Sequence, residues 1–331
     1  MKILYIYRHP KLGYSIGKVF HPIEKNMQNY AEVDSVYLPV PNYSFKGLCE
    51  NISCVLRQIK KNKYDIIHIT GTEHYLLPFL WKQCVVLTIH DLGHYLSLKG
   101  IRKFVFYLLY ILPIRNANKI VCISNYAKEE LYKSIKCNSN KVSIIPDVVS
   151  DEFAKKSKLV DFDIPKILHI GTRPHKNLER TIEAIKGIKC KMVIVGKISD
   201  EIRTKLQMNN IQYVNKTNLS DEEIIQEYID ADIVSFPSYH EGFGMPIIEA
   251  QAIGRVVITS EIEPMKSVAG KGAVLCNPFD VCSIRKAYLD VIQNSDLRYN
   301  LINEGFENVK KYRVQTICNQ YFNLYNTLLK W

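Results

Sequence analysis

Short runs of consecutive apolar residues recur through the first half of the chain: Ile3 to Tyr7, Ser35 to Leu38, Ile66 to Thr70, Val85 to Ile89, Ile120 to Ile123 and Val142 to Ile145. Most are apolar throughout rather than alternating, which is the pattern of strands buried on both faces of a parallel sheet. Between them lie longer stretches with helical spacing, such as Cys49 to Lys61 and Ala127 to Ile135. Strand then helix, repeated, predicts a doubly wound α/β fold. After Pro146 the periodicity fades and charge accumulates. The pattern restarts with a strand at Lys166 to Ile170, a helix at Leu178 to Ile185, a strand at Met192 to Val195, a helix from Ser199 and a strand near Tyr213. Ser220 and Glu223 have capping-box spacing for a helix through Tyr228. Strands at Ile233 to Phe236 and Val256 to Thr259 flank a helix from Pro246 to Ile253, with Gly254 as its stop. The expected organisation is a Rossmann-like domain over residues 1–150, a linker over 151–165, a second Rossmann-like domain over 166–312 and a final helical segment over 313–331. Two such domains leave a cleft between them.

Composition changes this picture little. The chain has 331 residues, 47% apolar and 23% charged, with 15 Gly and 13 Pro, an ordinary globular balance that excludes disordered and collagenous classes. Charge is more informative. The net +11 lies wholly in residues 1–160, with 23 Lys or Arg against 12 Asp or Glu, whereas residues 161–331 carry 21 of each. The first half is thus suited to an anionic partner such as a phosphorylated substrate or an acidic membrane surface. The nine cysteines form no CxxC pair, and several lie in apolar runs, so they read as reduced core thiols. No targeting segment or membrane span is legible, and a cytoplasmic protein is expected.

The sharpest chemical feature is EGFGMPIIE, Glu241 to Glu249, directly after the strand that ends near Pro237. Gly242 and Gly244 let the backbone approach a ligand, Pro246 suits a first helical turn, and the free N–H groups there favour a phosphate. Glu249, one turn into the helix, would face the same cleft as Glu241, and a carboxylate there suits a vicinal diol such as ribose. Spacing alone also permits a solvated glutamate followed by a helix-start glutamate.

This stretch, EGFGMPIIEAQAIGRVVITS after ADIVSFPSYH, resembles the Glu-x7-Glu signature of retaining glycosyltransferases of the GT-B fold, family four. The resemblance continues through GTRPHKNLERTIEAI and VAGKGAVLCNPFD, and more thinly through LTIHDLGHY and IVCISNYAKEEL. It implies that Glu249 holds the nucleotide ribose, and that Glu241 and the backbone of Gly242, Phe243, Gly244 and Met245 address the transferred sugar. It also implies that Arg173 and Lys176, after Gly171, neutralise the donor diphosphate, and that His90 reaches the donor sugar. Base recognition is expected largely from backbone near Gly196 and Leu219. Two departures are visible: His175 stands where relatives often have arginine, and Ser267 where they often have glutamate. Arg313 stands where many carry a tryptophan before a last helix that crosses back onto the N-terminal domain.

Weaker candidates surround these. Gly13 and Gly17 follow the first strand, where the family places a glycine near the donor phosphate, and a simple turn serves equally well. Asp91 and His74 are acceptor-side candidates by position, and His68 reads more readily as a packing histidine. His90, Asp91 and His94 superficially match HD-type phosphohydrolases, but those are helical proteins and need further ligands. Asp161-Phe-Asp163 and Asp230-Ala-Asp232 match the Asp-x-Asp of another glycosyltransferase architecture, yet neither follows a strand, and both read as solvated turns. No metal or other cofactor is expected.

The expected activity is transfer of a hexose, with retention, from a UDP, GDP or ADP sugar to a glycan or polyprenyl-linked acceptor in bacterial surface polysaccharide synthesis. Alternatives are a nucleotide-sugar-binding protein without turnover and a GT-B sugar-nucleotide epimerase. Nucleic acid is not an expected partner. Ile101 to Asn116, IRKFVFYLLYILPIRN, is too short to span a bilayer but combines aromatic and basic residues, so it reads either as an interfacial segment on an anionic membrane or as a buried helix with a basic rim.

Overall fold

The computed structural model describes residues 1–13, 15–41, 44–156 and 162–329. The chain divides into two compact units, one of Met1–Ser150 with Val314–Trp331 and the other of Asp151–Arg313.

The first unit is built on six parallel strands, Lys2–Tyr7 (β1), Glu32–Tyr37 (β2), Ile66–Ile69 (β3), Val85–Ile89 (β4), Lys119–Cys122 (β5) and Val142–Ile144 (β6), in the order β2-β1-β3-β4-β5-β6. The strands β3 and β4 are buried along their whole length, as their unbroken apolar runs require. The edge strand β2 alternates in exposure, which is why only its end stood out in the sequence. The last helix, Val314–Leu329, belongs to this unit and packs on the helix Ser15–Met27. Its fully buried Tyr325 is fixed by His68, whose Nδ1 lies 2.6 Å from the Tyr325 hydroxyl, and His68 Nε2 lies 2.8 Å from Thr88 Oγ1. Burial holds the His68 imidazole neutral, with its pKa pushed down to about 3.

The second unit repeats the architecture with Lys166–Ile170 (β7), Lys191–Val195 (β8), Gln212–Lys216 (β9), Ile233–Phe236 (β10), Val256–Ser260 (β11) and Val274–Cys276 (β12), in the order β12-β11-β10-β7-β8-β9. Its core joins Ile167, Met192, Ile194, Ile233 and Ile258 of the sheet to Ile182, Tyr288 and Leu301 of the covering helices. The Ser220 capping box opens the helix Asp221–Asp230, and Gly254, at φ 87, closes the helix Met245–Ile253. Strand order reverses between β7 and β10, and in the first unit between β1 and β3. Such reversals open a crevice at the carboxyl ends of the strands, where ligands bind in open α/β sheets.

Some expectations are corrected. Four of the nine cysteines are buried, but Cys49 and Cys282 are exposed, so the core reading holds for only part of the set. Asp232 is no solvated turn: it is buried and accepts a hydrogen bond from the Lys166 backbone N–H at 2.8 Å, at the amino end of the sheet. Asp161 lies outside the described residues. Among the described residues no helix is long and apolar enough to cross a membrane.

Candidate active site

In the second unit, three loops converge at the carboxyl ends of β7 and β10. Gly171 leaves β7 at φ 92, and a Cβ there would meet the Lys176 side chain at 3.0 Å, so glycine both turns the chain and makes room for the lysine stem. Lys176 ends a 3-10 turn, Pro174–Lys176, and its ammonium reaches Glu241 Oε1 at 2.6 Å, with the Phe236 ring centroid at 4.6 Å. The same carboxylate oxygen accepts from Ser238 Oγ at 2.6 Å. Arg173, exposed, opens that turn. Burial depresses the His175 pKa, with Glu241 opposing that effect and Lys176 adding to it.

Asn177 locks the arrangement. Held at φ 64, it donates from its side-chain amide to the carbonyls of Pro237 at 2.9 Å and Pro278 at 2.6 Å, tying together the loops after β7, β10 and β12. Gly244, at φ 120, sits at the start of the helix Met245–Ile253 with Pro246 in its first turn, so the first N–H groups of that helix face out of the carboxyl edge. Glu249 projects from the second turn and accepts from the Tyr228 hydroxyl at 2.5 Å, which fixes its rotamer. The raised pKa of that buried phenol keeps it a donor. Phe243 turns its ring inward against Tyr312, at 5.6 Å and edge-on, leaving its backbone to line the edge with Gly242 and Met245. Leu219, partly exposed, follows β9 on the same side.

In the first unit, His90 follows β4. Its Nε2 donates to the Thr70 carbonyl at 2.9 Å, which leaves Nδ1 facing Asp147 Oδ1 at 3.6 Å. Burial resists protonation of the ring, but Asp147, the Thr70 carbonyl and Asp91 outweigh it, so the His90 pKa lies above the ordinary 6.5. Asp91 is exposed and accepts from the Gly93 N–H at 3.2 Å. Glu73, in the loop after β3, is buried, with Oε1 accepting from Thr72 and Oε2 without a hydrogen-bond partner; burial pushes its pKa up to about 7 against the pull of Thr72, Arg8 and His90.

Several sequence candidates fall elsewhere. His74 is inside the unit, its Nδ1 donating to the Tyr110 carbonyl at 2.8 Å, so of the two acceptor-side candidates only Asp91 is exposed. His94 packs edge-on against Phe106 at 5.4 Å. Gly17 lies in the first turn of the helix Ser15–Met27 rather than in a loop, and the space a Cβ would take is closed by His21 at 3.0 Å. Sequence reasoning did not single out Asn177, Ser238, Tyr228 or Asp147. Asn177 and Ser238 sit inside quoted motifs, but Tyr228 meets Glu249, and Asp147 meets His90, only through the tertiary folding of their own units.

A family model described as glycosyl transferases group 1 matches residues 150–308, and one described as Glycosyltransferase Family 4 matches residues 17–153. The O-antigen chain mannosyltransferase RfbU of Salmonella typhimurium is 28% identical over 266 residues, covering 75% of this chain and 73% of its own. An Escherichia coli UDP-Gal:alpha-D-GlcNAc-diphosphoundecaprenol alpha-1,3-galactosyltransferase is 25% identical over 327 residues, covering 84% and 82%. Among solved structures, sucrose-phosphate synthase from Thermosynechococcus elongatus superposes with a TM-score of 0.82 at 18% identity, over 100% of this chain and 99% of that one. Anabaena HepE in complex with UDP and glucose gives 0.79 at 14% identity, over 99% and 100%. The chain therefore has the GT-B fold, with a Glycosyltransferase Family 4 match in its N-terminal half and a glycosyl transferases group 1 match in its C-terminal half.

Proposed function

We propose that the enzyme transfers a hexose with retention from a nucleoside diphosphate sugar to a glycan or polyprenyl-diphosphate-linked acceptor, at an anionic membrane surface and without a metal. The observation that carries the reading is the Lys176–Glu241 contact at the carboxyl edge of the second sheet, beside the open start of the helix Met245–Ile253. A departing diphosphate gains negative charge, and fixed cations and unpaired N–H groups stabilise it most in the transition state. Lys176, Arg173 and that helix terminus supply both. Glu249, oriented by Tyr228, takes the ribose hydroxyls. Glu241 addresses the transferred sugar, and His90 is the first unit's candidate for a substrate contact. Retention then follows a same-face course in which the leaving phosphate oxygen accepts the acceptor's proton, so no carboxylate nucleophile is needed.

The relatives support the acceptor class: one is named for an O-antigen chain and another for a diphosphoundecaprenol-linked sugar. The test is incubation with UDP, GDP and ADP sugars in a chelator, followed by NMR of the product anomer. Transfer with retained configuration is expected. An inverted product, or strict dependence on a divalent ion, would overturn the mechanism, and a new sugar nucleotide formed without acceptor would favour an epimerase.

A further inference from the structure

The helix Gly100–Phe106 continues through one π-turn, Tyr107–Ile111, and its two faces differ sharply. On the inner face Phe106 stacks on Tyr110 at 4.5 Å, and Ile111 is fully buried. On the outer face Ile101, Phe104, Val105 and Leu108 are 74%, 57%, 47% and 43% exposed. Their i, i+3, i+4, i+7 spacing is that of a core stripe, yet this stripe has no core to enter. Arg102, exposed, flanks it, whereas the Lys103 ammonium lies over the ring of buried Tyr95, 5.1 Å from its centroid, on the inner face; the adjoining turn His74–Leu80, which packs against residues 107–116, ends in the exposed Phe79 and Trp81. Residues 92–128 contain six Lys or Arg and no Asp or Glu.

We infer that this outer face is a membrane-insertion surface, with Ile101, Phe104, Val105 and Leu108 entering the headgroup and acyl boundary of an anionic leaflet and Arg102 meeting its phosphates. The occupant follows from charge. A run with cations only, around an apolar stripe, matches anionic lipid, whereas a protein partner would have to bring all the acidic groups itself. The structure also separates the basic residues of this region. Arg102 rims the stripe, but Lys103 is turned over Tyr95, and Arg115 donates to the Lys136 carbonyl and Lys119 to the Asn140 carbonyl, so these last two brace the corner between β5 and β6. The inference rests on the membrane location proposed above and not on the reaction.

It is tested by flotation of the whole protein with phosphatidylcholine vesicles, with and without about 30 mol % phosphatidylglycerol, at low salt and at about 1 M salt, where the Debye length falls to about 3 Å. Wild type is expected to float with the anionic vesicles and to keep part of that binding at high salt. The variant I101S/F104S/L108S, whose substitutions are all on the surface, should lose the salt-resistant part at least tenfold, and R102S should lower the salt-sensitive part. Circular dichroism confirms that both variants fold. Absence of wild-type flotation on anionic vesicles at low salt, or equal high-salt flotation of the stripe variant, overturns the inference. So does a wild-type dimer by light scattering that the stripe variant abolishes while vesicle binding is absent, which would give the face to a second copy. Because no donor or acceptor is present, failure here leaves the transfer assay untouched.

Discussion

Lys176 and Glu241, 65 residues apart in the chain, meet at 2.6 Å where β7 and β10 run side by side. The pair is more than a surface ion pair, because both side chains are mostly shielded and the lysine is also held over Phe236. Without donor, Glu241 neutralises the cation. In the proposed reaction, the donor diphosphate is expected to share or take over that charge.

Replacing the two partners should therefore have different consequences. Lys176→Ala is expected to lower turnover by about 10²-fold or more, as loss of a fixed transition-state donor does, and to weaken nucleotide binding. Glu241→Ala should lower turnover while leaving nucleotide affinity unchanged or tighter, since a competing carboxylate is gone. Steady-state kinetics together with nucleotide titration separate the two. Equal loss of affinity in both variants would contradict the assignment.

The raised pKa of His90 sets a pH dependence. A folded-state pKa above the ordinary 6.5 means that the His90–Asp147 contact stabilises the fold fully below about 6.5 and that this contribution is lost as pH rises through the folded value. Asp147→Asn should lower the His90 pKa in an NMR titration and reduce melting temperature at about pH 6 more than at about pH 9. An unmoved His90 titration would show that Asp147 is not its partner in solution.

Glu73 works with the opposite consequence for a carboxyl. With its pKa up at about 7, the folded state holds a proton that the unfolded chain releases near the ordinary 4.5, so stability falls as pH rises between those values. The loss is of order 3 kcal/mol at full ionisation. Glu73→Gln should remove that slope from urea melts taken across the window and be more stable than wild type at alkaline pH. A wild-type slope of the opposite sign would mean that the carboxylate finds a partner.

The last helix is a structural part of the first unit. Tyr325 is fully buried and bonded to His68, so Tyr325→Ala should destabilise that unit by about 3 to 5 kcal/mol, and Tyr325→Phe by about 1 to 3 because His68 Nδ1 is left unpaired. Chemical denaturation of the two variants checks the order. A wild-type midpoint for Tyr325→Ala would mean that the helix does not dock.

Much of the fold was legible because the strands of a parallel sheet are buried on both faces and so read as unbroken apolar runs. The runs Val85–Ile89 and Ile233–Phe236 are cases where pattern and strand coincide. The helix Ser15–Met27 was not legible: Pro22 interrupts it and His21 and Lys25 crowd its outer face, so local propensity argued against what packing enforces. β2 was seen only at its end because an edge strand has no two-sided burial to announce it. At the site, Glu241, Glu249 and Lys176 were legible since they lie in one motif or beside a glycine turn. Tyr228 and Asp147 were not, because a hydroxyl or carboxylate that positions another side chain leaves no local pattern. The apolar stripe on Gly100–Phe106 was visible as composition, but only coordinates show that it faces outward.

The most direct test of the central claim, that the second unit holds a nucleoside diphosphate through Glu249 beside Lys176, is calorimetric titration of UDP, GDP and ADP into the wild type and Glu249→Ala. The account predicts that at least one nucleotide binds the wild type, and that the variant, with an unchanged melting temperature in the absence of ligand, binds it about tenfold or more weakly, the loss of a charge-assisted hydrogen bond of roughly 1.5 to 3 kcal/mol. Wild-type affinity in the folded variant, or no binding of any of the three to the wild type, would contradict it.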